Sequence, residues 1–201
     1  MKKIIRVPYI DQTKDYPTGC ESVSAVMLLH YMGMFLSVDE FIENYLEKEP
    51  MQKREGRLYG PNPFQCFAGS PYDSDSFGCY APVIADALNR VFANFKMEKR
   101  AKDISGMPVE KMLARYIDRD IPVIFWASID LKETVFGPDW LLADGTVFSW
   151  ISNEHCMLLV GYDEDMYYFN DPWHNHGCIG YPRDLTERRH EEQRGMAVVV
   201  E

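Results

Sequence analysis

The sequence predicts an α+β protein in which helices come first and an antiparallel sheet follows. Three observations carry that expectation. Apolar residues recur at helical spacing in segments up to residue 119, and they crowd into short strand-length runs from residue 122 onward. Apolar types make up 46% of the 201 residues, enough for one full-sized core. A single domain over residues 1–201 is therefore expected.

The first helix is read from Cys20 to Met32, after the turn Pro17-Thr18-Gly19, with Val23, Val26, Met27, His30 and Tyr31 at helical spacing and Gly33 ending it. His30 on that face reads as a packed, hydrogen-bonded histidine. Ser37 followed by Glu40 is a capping box that opens a second helix through about Lys48. From Pro50 to Pro82, nine of thirty-three residues are Gly or Pro, about twice the share of the whole chain, so periodic structure is not expected there. Tyr59, Phe64, Phe67, Tyr72, Phe77 and Tyr80 are too many aromatics for disorder. An ordered loop packed on the body, facing substrate, is the expectation. Helices resume over Ala81–Phe95 and Pro108–Arg119. Strands are expected at Pro122–Ser128, His155–Gly161, Met166–Asn170 and Met196–Val200.

Composition excludes some partners. With 31 acidic and 21 basic residues the formal charge is −10, which argues against a nucleic-acid backbone or an anionic membrane surface. Charged residues at 26% and aromatics at 13% exclude a disordered chain. No apolar run approaches the roughly eighteen residues that a membrane span needs. The start, Met1 to Pro8, is basic but lacks the apolar stretch of a signal peptide; an exported chain with its leader removed would read the same way. Five cysteines, Cys20, Cys66, Cys79, Cys156 and Cys178, cannot all pair, and none sits in a Cys-x-x-Cys. Free thiols in a reducing cytoplasm are the expectation.

Chemistry concentrates in a few places. Cys20 stands at the first turn of a helix, where free N–H groups and the helix dipole favour a thiolate. Glu21 beside it opposes thiolate formation, and a buried, inert cysteine is the competing reading. His155 opens one strand and Asp171 follows the next. A turn in Tyr162–Asp165 makes paired positions sum to about 326–328, so His155 faces residue 171, 172 or 173 and Asp171 is a near neighbour. A carboxylate beside an imidazole orients it and stabilises its protonated form; a purely structural His–Asp bond is the alternative. Gln12 could donate its amide to an oxyanion together with the Cys20 N–H. Cys156 should face the core, opposite His155. Trp173 could shield the His–Asp contact, and Ser128 could line a cleft. His174, His176 and Cys178 match no common zinc spacing, so no metal is expected.

Taken together, Val7-Pro-Tyr-Ile-Asp-Gln12, Pro17-Thr-Gly-Cys20-Glu-Ser-Val-Ser-Ala, Asn153-Glu-His155-Cys-Met-Leu-Leu-Val-Gly-Tyr162 and Asn170-Asp171-Pro172 resemble the peptidases of cysteine family thirty-nine, and more closely its stand-alone branch. Residues of about 40–120 carry no mappable motif. The resemblance implies a papain-like fold, with an N-terminal helical half packed on an antiparallel half. It also implies a cysteine peptidase with Cys20 as nucleophile, His155 as base and then acid, Asp171 as orienting carboxylate and Gln12 as oxyanion donor. Gly19 and Trp173 are the expected substrate-binding residues. Better-known members cut leader peptides of bacteriocins after a double glycine. With no transporter segment in the sequence, that role is not expected to be inherited, and with eleven residues before Gln12 no papain-type pro-segment is expected. An amidase or acyl transferase on the same machinery, or a non-catalytic peptide-binding relative, are the alternatives. The partner expected is a peptide or protein substrate, with no cofactor.

Overall fold

The structure is a computed structural model and describes residues 2–201. Strand β1 (Lys3–Ile4) leads through an extended segment to helix α1 (Cys20–Tyr31). α1 is buried on all sides from Cys20 through Leu29, including Glu21, Ser22 and Ser24, rather than along one apolar stripe. It is the central helix of the molecule, and Gly33 at φ +82° lets the chain turn away after it. His30 is indeed hydrogen-bonded, its Nε2 2.8 Å from the Leu36 carbonyl.

α2 (Val38–Asn44) opens on the capping box: Ser37 Oγ accepts from the Glu40 N–H at 3.1 Å, and the Glu40 carboxylate accepts from the Ser37 N–H at 2.8 Å. It ends short of Lys48, which belongs to β2 (Lys48–Glu49). A hairpin of β3 (Gln52–Arg54) and β4 (Arg57–Tyr59) follows, then β5 (Phe67–Ala68), which pairs in parallel with β2. The Pro50–Pro82 stretch is thus ordered, but it contains strands as well as loop. Its Phe67 and Tyr80 are fully buried.

α3 (Ala81–Asn94) lies where expected, followed by β6 (Ala101–Asp103). α4 (Val109–Arg115) is shorter than the reading to Arg119, because Ile117–Arg119 tightens into a 3-10 turn that ends with Asp120 at φ +58°. β7 (Val123–Ser128) is wholly buried. Next come β8 (Val135–Leu141) and β9 (Val147–Ser152), a hairpin not foreseen. The remaining elements are β10 (Glu154–Tyr162), β11 (Met166–Asp171), β12 (Gly177–Pro182), α5 (Arg183–Glu192) and β13 (Ala197–Val200). Among the described residues no helix is long and apolar enough to cross a membrane.

The main sheet runs β12-β11-β10-β7-β13-β6, with β1 pairing to the end of β10; every pairing in it is antiparallel. Gly161 is required at that end, since a Cβ there would collide with the Lys3 carbonyl. The sheet is covered on both faces. Phe125 stacks on His190 of α5, with ring centres 3.9 Å apart. The next residue, Trp126, points the other way and donates its Nε1–H to the Cys79 carbonyl at 3.2 Å. α1 packs on that second face, where Ser24 Oγ donates to the Cys156 carbonyl at 3.2 Å. A separate four-stranded sheet, β3-β4-β8-β9, stands beside the cleft described next.

Candidate active site

Where α1 begins and β10 begins, a cleft of about 170 Å³ opens. Gln12, Cys20, His155 and Trp173 all line it, so four of the six expected catalytic and substrate-binding residues share one space. Ser76 and Phe77 of the 50–82 segment and Trp150 of β9 form its other wall. The expectation that this segment faces the cleft is met at Ser76 and Phe77. The hairpin partner Trp150 was not foreseen.

His155 and Asp171 come together through strand register. Leu158 pairs with Asn170 and Leu159 with Phe169, a sum of 328 near His155. Asp171 is therefore a same-face diagonal neighbour rather than the directly opposed residue. Nε2 of His155 lies 2.7 Å from Oδ1 of Asp171, both side chains almost wholly buried. Oδ1 also accepts the Trp173 N–H at 3.0 Å, while Oδ2 accepts the Tyr181 hydroxyl at 2.7 Å and lies 3.0 Å from Nδ1 of His176. Burial alone would raise the Asp171 carboxyl. The His155 hydrogen bond and charge, with Tyr181 and the Trp173 N–H, instead hold it well below the usual carboxylate range. It is an anion at any physiological pH. Nε2 of His155 is thus engaged by Asp171, which leaves Nδ1 as the ring nitrogen available to exchange a proton.

Cys20 has a different environment. Its thiol donates to Oε2 of Glu21 at 3.3 Å, and among the described residues no hydrogen bond joins it to His155. Strand alternation explains the geometry: Glu154 and Cys156 face α1, while His155 faces the other side of β10 and reaches the cleft from there. Burial is the largest influence on Cys20, followed by the charges of Glu21 and Glu154, and all three push the thiol well up. This corrects the expectation of a lowered thiol at the helix start: desolvation and two carboxyl groups outweigh the helix dipole. Burial likewise raises Glu21 to about 7, against hydrogen bonds that include the Cys79 N–H at 2.6 Å. Glu154 is raised well above its ordinary value by burial and then by Glu21, and its Oε1 has no partner. Gly78 makes room for the pair, since a Cβ there would lie 2.5 Å from Oε1 of Glu21 and 3.2 Å from Oε2 of Glu154.

The chain fits one family model, described as Peptidase_C39 like, over residues 4–198. The chain belongs to the Peptidase_C39 like family. Among curated relatives of this family member, the uncharacterized protein YvpB of Bacillus subtilis (strain 168) is 25% identical over 186 residues, covering 90% of this chain and 68% of YvpB. Among solved structures it is similar to one described as a C39-like peptidase from Bacillus anthracis. That match has a TM-score of 0.85 and 23% identity, over 100% of this chain and 98% of the other. It is also similar to a double glycine motif protease from an AMS/PCAT transporter in complex with its leader peptide. There the TM-score is 0.54 and the identity 14%, over 100% of this chain and 97% of the other. The fold is the papain-like one, a helical part packed against an antiparallel sheet.

The other residues singled out fall into place around this core. Gln12 is buried, and its backbone N–H donates to the Pro172 carbonyl at 2.9 Å. Its side-chain Nε2 donates to the Tyr16 and Pro17 carbonyls at 3.2 and 3.3 Å, leaving Oε1 unpartnered. Gly19 is buried and does not itself line the cleft, although its neighbours Thr18 and Cys20 do. A Cβ there would meet Tyr16 at 2.8 Å and Pro71 at 3.2 Å, so its role in this structure is close packing at the helix start. Trp173 sets its ring edge-on to His155, centres 6.4 Å apart. Ser128 is buried and donates to the Lys132 carbonyl at 2.5 Å, away from the cleft lining. Cys156 is buried as expected, and all five cysteines are free. Sequence reasoning missed Tyr181 and weighed His176 only as a metal ligand; both complete the shell of Asp171. It also missed Glu154, whose only visible signal was its position next to His155.

Proposed function

We propose that the chain is a cysteine peptidase that hydrolyses peptide bonds through Cys20, His155 and Asp171. The observation that supports this most is the buried His155–Asp171 pair opening into the same cleft as the sulfur at the start of α1. In this reading Cys20 rests as a neutral thiol. Substrate entry turns its sulfur from Glu21 toward the cleft, and His155 Nδ1 takes the thiol proton as the sulfur attacks the carbonyl. Asp171 stays ionised, holds the ring orientation and stabilises the imidazolium.

The oxyanion is received by the Cys20 backbone N–H, which belongs to the unpaired first turn of α1. Gln12 assists by trading one of its two long hydrogen bonds, to Tyr16 or Pro17, for the oxyanion. His155 then protonates the leaving amine, and water activated by the same ring releases the acyl group. The aromatic wall of Phe77 and Trp150 receives substrate side chains, and Trp173 shields the His–Asp contact. Substrates in this reading are peptide or protein chains.

A mixed library of short peptides, digested and read by mass spectrometry, tests the proposal. New termini are expected with the wild type and not with Cys20→Ala or His155→Ala. Cleavage retained in Cys20→Ala would overturn it.

A further inference from the structure

The carboxyl groups beside the nucleophile are not needed for the peptidase chemistry, yet they are arranged as a ligand set. One ligand atom from each of Cys20, Glu21 and Glu154 lies within 4.8 Å of the other two. Glu154 is 92% buried, with Oε1 making no hydrogen bond. No Lys, Arg or His pairs with either carboxyl among the described residues. A buried, unpaired carboxyl oxygen beside a second carboxyl calls for a proton or a cation.

We propose that Cys20, Glu21 and Glu154 form an inhibitory binding site for a thiophilic divalent cation, Zn²⁺ being the best fit. Tetrahedral zinc with sulfur at about 2.3 Å and oxygen at about 2.0–2.2 Å puts its ligand atoms roughly 3.5 Å apart. The Cys20 sulfur and Glu21 Oε2 already stand 3.3 Å apart. The remaining distances need to close by about 1 Å. Glu21 Oε1 keeps its hydrogen bond from the Cys79 N–H, which fixes the carboxylate as outer partners of metal ligands do. A thiolate among the donors selects zinc over magnesium or calcium. Because Cys20 and Glu154 both line the cleft, the ion has an entry path and a water can fill the fourth position. As the Zn–S bond forms, the thiol proton and any carboxyl proton leave to solvent. That binding silences turnover rests on Cys20 being the nucleophile; the binding itself does not.

The test uses the intact chain reduced with a phosphine, with Zn²⁺ measured by competition against a chromogenic chelator and Co²⁺ as the spectroscopic probe. One ion per chain is expected, with a thiolate-to-cobalt charge-transfer band that is absent in Cys20→Ala. Glu21→Gln and Glu154→Gln, which keep side-chain shape, should each weaken binding by at least about tenfold, while His155→Ala should leave it in place. No saturable one-to-one binding, affinity unchanged in both Glu→Gln variants, or binding lost in His155→Ala would each overturn the proposal. The last result would put the ion between sulfur and imidazole instead. If the wild type binds zinc as described but cleaves no peptide, the metal site stands and the peptidase reading falls.

Discussion

Glu154 begins β10 and Asp171 ends the neighbouring strand β11, and both are buried carboxyl groups beside His155 in sequence or space. Asp171 has four hydrogen-bond partners on its two oxygens and stays ionised far below the usual range. Glu154 has an unpartnered oxygen and a second carboxyl for a neighbour, and is driven the other way. Burial is common to both, so the number of donors aimed at the oxygens decides the charge. One side of the site is built to keep an anion. The other discourages one, and Cys20 sits on that side.

The comparison can be broken in four places, taken from the largest effect down. Asp171→Ala should cost about 3–5 kcal/mol of stability in urea melts, because it strands a buried histidine and the donors around it. The milder Asp171→Asn should lower kcat less than Asp171→Ala if the proposed roles hold, since an amide oxygen still orients the ring but no longer stabilises the imidazolium as an anion does. A carboxyl that tolerates removal would show that the four hydrogen bonds do not hold an anion.

The second break is in pH. Glu21 titrates near 7 when folded against an ordinary value of 4.5, so the folded state binds the extra proton between those values. The contribution of Glu21 should therefore fall as pH rises from about 4.5 to 7, so the stability of the wild type relative to Glu21→Gln should decline across that window. Asp171 acts with the opposite sign: its contribution is complete above the unfolded value and is lost only in strong acid. Glu154 adds to the fall and buried His190, held down to about 4, opposes it, so a wild-type-minus-Glu21→Gln difference that rises over pH 4.5 to 7 is the result that would contradict the assignment.

Gly78→Ala comes third. It pushes a methyl between the two carboxyl groups and should destabilise by about 1–3 kcal/mol, read from the thermal midpoint. The smallest effect is on thiol reactivity. Glu154→Gln should raise alkylation of Cys20 by iodoacetamide, and most at alkaline pH, where the wild-type Glu154 carboxyl is ionised. An unchanged rate would mean that Glu154 does not act on the sulfur.

The His155–Asp171 side of this comparison was legible from residues alone because it lies on regular elements. A helix-start cysteine and a two-strand register place Cys20, His155 and Asp171, and the expected pairing sum of 326–328 includes the observed 328 at that end of the hairpin. The opposing side was not legible. Glu21 is visible next to Cys20, but the arrival of Glu154 from β10 requires the packing of α1 on the sheet, which no local pattern encodes. The β8–β9 hairpin was missed because Gly137 and Pro138 interrupt its alternation. α5 was missed because Arg183–Glu192 has Leu185 as its single large apolar residue. Its buried contacts are instead made by Arg189, which donates to the Leu131 carbonyl, and by His190, whose Nδ1 lies 2.8 Å from the Trp126 carbonyl. Polar residues buried through hydrogen bonds leave no hydrophobic period to read.

The account turns on the Cys20 sulfur forming an acyl bond with substrate, and acid-quenched reaction of the wild type with an activated peptide thioester, followed by peptide mapping, addresses it most directly. The acyl group is expected on Cys20, transiently in the wild type and not in Cys20→Ala. An adduct confined to Cys66, Cys79, Cys156 or Cys178, or peptide turnover without any adduct on Cys20, would contradict it.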